Sequence, residues 1–247
     1  ISGIAASRLL LREGADVILY DGNEKLDAET IKENILHDEE HGVTLSGDVK
    51  VILGELSKEV MESLVLTVMS PGVPTDLPIV EKMREKSIPI WGEIELAYVF
   101  GKGDVLAITG TNGKTTTTAL LGQIMQAYIV GNIGTPYTSV AQETTDDAVI
   151  VAEISSFQLE TIHTFHPKVS AILNITPDHL NRHHTMEAYI EAKERIAENQ
   201  TKADVCVLNY EDDELQKFGE KTAAQVLYFS SARKLEKGIY LDGTKII

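Results

Sequence analysis

At 247 residues the chain is long enough for about two domains of ordinary size. Its apolar share of 43% and charged share of 24% are those of a folded protein, which sets aside disordered and fibrous classes. The formal net charge of −16 argues against non-specific nucleic-acid binding, because a polyanion would be repelled. It does not bear on small anionic ligands, which need only a local cluster of donors.

The segment Ile4 to Glu13 reads as a helix ending at Gly14, and Ala15 to Tyr20 as a buried strand that delivers Asp21 into the turn Asp21-Gly22-Asn23. Strands follow at Val49 to Leu53 and Leu64 to Met69, the second running into the loop Ser70-Pro71-Gly72-Val73-Pro74. Helical stretches lie between and after them, at Ala28 to Asp38 and Pro78 to Lys86. Alternation at this spacing implies a mostly parallel sheet covered on both faces. Ligands of such sheets bind beyond the carboxyl ends of the strands, where Asp21, Ser70 and Gly72 stand.

A doubly wound domain normally places a strand and a glycine-rich turn before its first helix, so the natural protein is expected to begin earlier than Ile1. At Ala127-Tyr128 a helical run meets an apolar run without Gly, Pro or a turn residue, and a loop is expected to be missing there. Pro89 to Gly103 separates the first α/β unit from a second. The second unit has strands near Val105–Thr109, Tyr128–Val130, Ala148–Ala152, Val169–Leu173 and Asp204–Leu208, then short strands and turns from Gln225. Cys206 lies within one of these runs and reads as a buried strand residue. No apolar stretch approaches the ~18–20 residues that span a bilayer, and no signal-peptide pattern opens the chain. A cytoplasmic setting without membrane or nucleic-acid partners is the expectation.

The sharpest motif is Gly110-Thr111-Asn112-Gly113-Lys114-Thr115-Thr116, between a buried strand and a helix opening at Lys114. Glycines let backbone N–H groups curl around a phosphate, and the helix N-terminus adds partial positive charge. Lys114 can reach the β- and γ-phosphates, and the Thr115 hydroxyl can ligate Mg²⁺. The general pattern wants a further Gly where Ile108 stands, so the loop is a compact variant.

This loop resembles the ATP loop of the Mur ligase family, which also includes the folylpolyglutamate synthases. Val130-Gly-Asn132-Ile-Gly134, Glu153-Ile-Ser155-Ser-Phe157-Gln-Leu-Glu160, Asn174-Ile-Thr-Pro-Asp178-His179 and Tyr189-Ile-Glu-Ala-Lys193 extend the likeness. They are similar to the D-glutamate-adding (MurD) branch, whose siblings usually carry His where Phe157 stands. The resemblance implies a UDP-substrate-binding domain over residues 1–92, with a Rossmann-like fold. It implies a P-loop-type ATP-binding domain over 93–247, and a third, C-terminal domain that this chain does not hold.

It further implies an ATP-dependent ligase joining D-glutamate to UDP-N-acetylmuramoyl-L-alanine through an acyl phosphate, in peptidoglycan precursor synthesis, as a monomer. Lys114, Glu153, His179 and Lys193 would be catalytic, and Thr115, Glu153, His179 and Lys193 would hold Mg²⁺, Lys193 after carbamylation by CO₂. Asn132, Ser155 and His179, with Asp21, Ser70 and Gly72 on the uridine side, would contact substrate. Rival readings are another Mur ligase or a folylpolyglutamate synthase, a P-loop kinase or switch NTPase, a dinucleotide-binding dehydrogenase module and a non-catalytic binding module.

Overall fold

The structure, a computed structural model, describes residues 2–38 and 42–247. Packing divides it into two compact units: one runs to Gly101 and also takes in Pro136–Glu143, and the other comprises Lys102–Thr135 and Thr144–Ile247. The first opens with α1 (Ser2–Arg12), β1 (Val17–Asp21), α2 (Ala28–Leu36), β2 (His37–Asp38), β3 (Val43–Thr44) and β4 (Val49–Leu53). It continues with α3 (Lys58–Ser63), β5 (Thr67–Met69), α4 (Pro78–Glu85), β6 (Ile90–Gly92) and α5 (Glu93–Phe100).

Local chemistry sets these boundaries. Gly14, at φ +81°, takes the left-handed turn after α1, and its N–H donates to Leu11 O at 3.0 Å. The Asp27 side chain caps α2 by accepting from the Glu29 and Thr30 amides. Leu11, Val17, Ile35 and Val49, from α1, β1, α2 and β4, bury one core. Leu56, Met61, Met83 and Ile88 bury another.

Two expectations for this unit need correction. Among the described residues its strands form separate pairs rather than one sheet: β1–β4 and β5–β6 are parallel, and β2–β3 antiparallel. With only three residues, β5 makes its ladder with β6, from Thr67↔Ile90 to Met69↔Gly92. The segment from Pro89 to Gly103 is not a connector either. It forms β6 and α5, because Ile94, Leu96 and Ala97 bury completely and Gly92 caps the helix.

The second unit begins with β7 (Asp104–Thr109), α6 (Lys114–Met125) and β8 (Tyr128–Gly131). The chain then supplies α7 (Tyr137–Val140) to the first unit. There the buried Glu93 carboxylate accepts from Thr138 N at 2.7 Å and Thr138 Oγ1 at 2.8 Å. Burial pushes the Glu93 carboxyl up from the usual range, and the Thr138 bonds oppose that rise. α5 packs on both α1 and α7, so by packing the first unit reaches Gly101 instead of closing at residue 92.

After α7 come β9 (Val149–Glu153), α8 (Ser156–Leu159), β10 (Val169–Ile172), α9 (Leu180–His183) and α10 (Met186–Glu194). The unit ends with β11 (Val205–Asn209), α11 (Asp213–Gly219), β12 (Gln225–Ser230), β13 (Ile239–Asp242) and β14 (Lys245–Ile246). Its eight strands form one sheet in the order β14-β13-β12-β11-β10-β7-β9-β8. Every pairing is parallel except β13 with β14. Ile150, Val151 and Ala152 are all fully buried, the pattern of a strand covered on both faces. Cys206 is buried too, and burial pushes its thiol up to about 11. The phosphate-loop strand β7 lies between β10 and β9, so three strand ends converge at the carboxyl edge of the sheet.

In this sequence the α6–β8 junction closes as a tight turn at Gln126. Gln126 takes the left-handed conformation (φ 52°, ψ 43°), with its N–H on Gln123 O and the Ala127 N–H on Gly122 O at 2.9 Å. This double bond pattern is the helix-ending turn usually built with Gly. Helix and strand approach closely because residue 122 has no side chain; a Cβ there would lie 2.3 Å from Ile129 Cγ1. A non-glycine residue pays for the left-handed conformation, so Gln126→Gly should stabilise the protein by about 1 kcal/mol. Thermal unfolding checks this, and a midpoint equal to or below wild type would contradict it.

Candidate active site

The phosphate loop leaves the buried strand β7 through Gly110, at φ +145°. A Cβ on Gly110 would meet Leu173 Cβ at 3.1 Å, so the position suits glycine on two counts. Gly113, at φ +85°, caps α6. The first-turn amides of α6 have no intrahelical acceptor, which leaves them open to an anion. The loop amides before them do not: Thr111 N donates to Asn174 O at 2.9 Å, and Asn112 N to Asn174 Oδ1 at 2.8 Å. The cradle is therefore narrower than the motif suggests, beginning at Gly113. Thr115 and Thr116 are exposed.

Lys114 folds back over its own loop, its Nζ donating to Gly110 O at 2.9 Å and Thr111 O at 3.0 Å. Lys193 Nζ donates to the same Gly110 oxygen at 2.8 Å. Lys193 lies on α10, only 1% exposed, with its Nζ 4.7 Å from the Tyr189 ring centre. Burial, and then the neighbouring Lys114 charge, pull its amine down to about 7, so much of it is neutral near neutral pH. This is not a solvated helix lysine.

Glu153 ends β9, the strand beside β7, and is 1% exposed. Its Oε1 accepts from Asn132 Nδ2 at 2.8 Å, and Asn132 N donates to Glu153 O at 2.8 Å. Gly131 permits this approach, since a Cβ there would lie 2.3 Å from Glu153 O. The other carboxylate oxygen, Oε2, is buried without a hydrogen-bond partner. A buried carboxylate oxygen left bare is costly, and a cation is one group that would satisfy it.

His179 stands on the surface at the start of α9, with a left-handed backbone (φ 53°). Its ring lies 5.0 Å from Phe157 and 6.4 Å from Tyr189, and its Nε2 is 3.5 Å from Asp178 Oδ2. Among the described residues no three His, Cys, Asp or Glu side chains converge to hold a metal. The expected set of Thr115, Glu153, His179 and Lys193 has only two members of those types. Ser155 is engaged locally: its Oγ caps α8 by accepting from Gln158 N, and Gln158 Oε1 accepts from Ser155 N at 2.9 Å.

In the first unit, Asp21 ends β1 and its Oδ1 accepts from Asn23 N at 2.9 Å, closing the turn read from the sequence. Ser70 Oγ accepts from Ser2 Oγ at 3.3 Å, beside the start of α1. Gly72 follows in an open, exposed loop.

Several neighbouring residues were given no role from the sequence. Tyr189, 1% exposed, brings its hydroxyl to Thr111 Oγ1 at 3.1 Å, and burial raises its phenol pKa. His183, whose imidazole is pulled down by burial, meets Ser156 Oγ at 2.9 Å and stacks on Phe157 with ring centres 5.3 Å apart. Arg182 lies over the same Phe157 ring, 4.6 Å from its centre, and bonds Glu160 at 2.9 Å. The Ser155-Ser-Phe-Gln158 capping box, not singled out from the sequence, is a local pattern that could have pointed here.

The sequence model described as the Mur ligase middle domain matches residues 108–245. A UDP-N-acetylmuramoylalanine--D-glutamate ligase of Lachnospira eligens is 56% identical over 253 residues, covering 100% of this chain and 54% of that protein. A protein of the same name from Clostridioides difficile is 46% identical over 252 residues, with the same two coverages. The chain thus spans about half the length of the curated relatives it matches. A crystal structure of UDP-N-acetylmuramate:L-alanyl-gamma-D-glutamyl-meso-diaminopimelate ligase from Neisseria meningitides aligns with TM-score 0.57 at 17% identity, over 96% of this chain and 78% of that one. A murein peptide ligase from Psychrobacter arcticus aligns with TM-score 0.55 at 13% identity, over 98% of this chain and 53% of that one. At such identities the two structures speak for the fold alone.

Proposed function

The chain belongs to the Mur ligase family, and on that premise we propose that it serves ATP-dependent addition of D-glutamate to UDP-N-acetylmuramoyl-L-alanine. The observation that carries the proposal is the meeting of Lys114 and buried Lys193 on one phosphate-loop carbonyl, Gly110 O. A helical lysine with no task at the loop would stay in water, because burying its amine is costly. The choice of D-glutamate rests on the named relatives and on the Glu153–Glu160 signature.

A carboxylate is too poor an electrophile to meet an amine directly. In the proposed reaction the L-alanyl carboxylate attacks the γ-phosphorus of ATP and ADP leaves; the D-glutamate amine then attacks the acyl carbon, phosphate leaves, and the amide nitrogen gives up a proton. Lys114 would leave its two loop carbonyls for the β- and γ-phosphates, neutralising charge on the transferred group. The α6 first-turn amides would hold phosphate oxygens. Asn132, already bonded to Glu153, would orient that carboxylate while contacting substrate, with Ser155 and His179 nearby in role.

The bare Oε2 of Glu153 fits a divalent cation, with Thr115 and His179 completing its holding groups, and a carbamylated Lys193 would hold a second one. Bound Mg²⁺ would supply charge neutralisation at the phosphates. Asp21, Ser70 and Gly72 would serve the UDP end of the substrate, making the unit that runs to Gly101 the substrate-binding part and the unit of the eight-stranded sheet the ATP-binding part. We place the reaction in the cytoplasm, where ATP and UDP-linked precursors are available, with the enzyme acting as a monomer.

The deciding assay is phosphate release from ATP by the complete protein, with each substrate omitted in turn. Release should require both UDP-N-acetylmuramoyl-L-alanine and D-glutamate. Equal release with a different acceptor acid or amino acid, and none with this pair, would overturn the substrate assignment.

A further inference from the structure

The stretch just beyond β10 grips the phosphate loop more closely than phosphate binding itself demands. The Asn174 side-chain amide brackets the Asn112 peptide: Oδ1 accepts from Asn112 N at 2.8 Å, and Nδ2 donates to Asn112 O at 3.0 Å. The Asn174 backbone oxygen accepts from Thr111 N at 2.9 Å. Thr111 Oγ1 in turn accepts from Thr176 N at 3.0 Å and donates to Thr176 O at 3.1 Å. A hydroxyl has one hydrogen and two acceptor sites, so the remaining contact, at 3.1 Å, makes Tyr189 the donor and leaves Thr111 fully satisfied.

Asn112 itself is exposed. We propose that Asn174 is a positioning residue for nucleotide binding, its side-chain amide holding the phosphate loop in shape before the phosphates arrive. This inference rests on the nucleotide-binding reading above. Its physical content is preorganisation: a loop ordered in the free protein loses less freedom when ligand binds. The side chain must donate and accept at once across one peptide. Asparagine does so; alanine does neither, and serine is too short to bracket both ends.

The test titrates ADP with Mg²⁺ into the complete protein and into its Asn174→Ala and Asn174→Ser variants, by calorimetry. Amide exchange at Thr111 and Asn112 and the nucleotide-free unfolding temperature are measured alongside. Loss of the bracket should weaken ADP binding on the order of 10–100-fold. The Asn112 amide, its acceptor removed, should exchange faster in the variants than in the wild type. A purely structural role would lower the unfolding temperature and leave Kd alone. A Kd within twofold of wild type in a folded variant overturns the inference, and if the alanine variant does not fold, the serine variant decides. Failure of the wild type to bind ADP overturns the nucleotide reading and this inference together, whereas binding that ignores the substitution overturns this inference alone.

Discussion

Lys114→Ala in the complete protein is expected to cut ATP turnover by ~10²–10³-fold while the fold stays intact, the usual loss for one preorganised charge at a developing phosphoryl charge. The fold should survive because the side chain is only half-buried and its partners are carbonyls at the rim of the loop, Gly110 O and Thr111 O. Gly110 O keeps a donor in Lys193 Nζ, so removing Lys114 does not orphan it. The same exchange removes the charge that helps hold the Lys193 amine near 7, so that amine should move upward in the variant. Single-turnover phosphate release, with unfolding temperature as the control, measures the effect. Turnover within about threefold of wild type would refute the phosphate role.

What the sequence disclosed and what it hid separate along one physical line. The phosphate loop was legible because its requirements are local: two glycines in conformations other residues avoid, φ +145° at Gly110 and +85° at Gly113, between an apolar strand and a helix start. The parallel ATPase-type sheet was legible for the same reason, since fully buried strands read as unbroken apolar runs. The fate of the loop amides was not legible. Thr111 and Asn112 donate to Asn174, 62 residues on in the case of Asn112, and no local pattern announces that pairing. The form of the α6–β8 turn was not legible either. Gln126 adopts a conformation that sequence reasoning reserves for Gly or Asn, and Gly122, four residues earlier in the helix, makes room for it.

Lys193 is the clearest case of tertiary structure overriding a local reading. The helix around it, Met186–Glu194, carries Glu187, Glu191 and Glu194 and looks like a solvated surface helix. Only packing shows that Tyr189, Ala192 and Lys193 form its buried side. Resemblance to the family supplied a role for Lys193, and the structure supplies a reason the residue could fill it. CO₂ reacts with a neutral amine and not with an ammonium ion. An amine pulled down to about 7 offers the neutral form where an ordinary lysine does not.

Lys193→Arg should therefore fold and lose most activity. A surface lysine would accept arginine with a stability change inside about ±0.5 kcal/mol and no change in rate. Here the guanidinium remains charged at any working pH, cannot take up CO₂, and would set a fixed cation under Gly110 beside Lys114. Lys193→Ala should be inactive as well, yet recover part of its rate with a small carboxylate such as acetate, which can occupy the vacated space with the same charge as a carbamate. In the proposed carbamylation the Nζ lone pair would attack the CO₂ carbon, and the nitrogen would then release a proton. The neutral fraction grows as pH rises through about 7, so at fixed dissolved CO₂ the modified fraction should rise between pH 6 and 8. Stripping CO₂ and bicarbonate should slow the wild type, most severely at the acid end, and do nothing further to the arginine variant. Full activity of the arginine variant would reduce Lys193 to a packing residue and withdraw it from the metal-holding set, leaving Glu153 Oε2 as the remaining buried group in need of a cation.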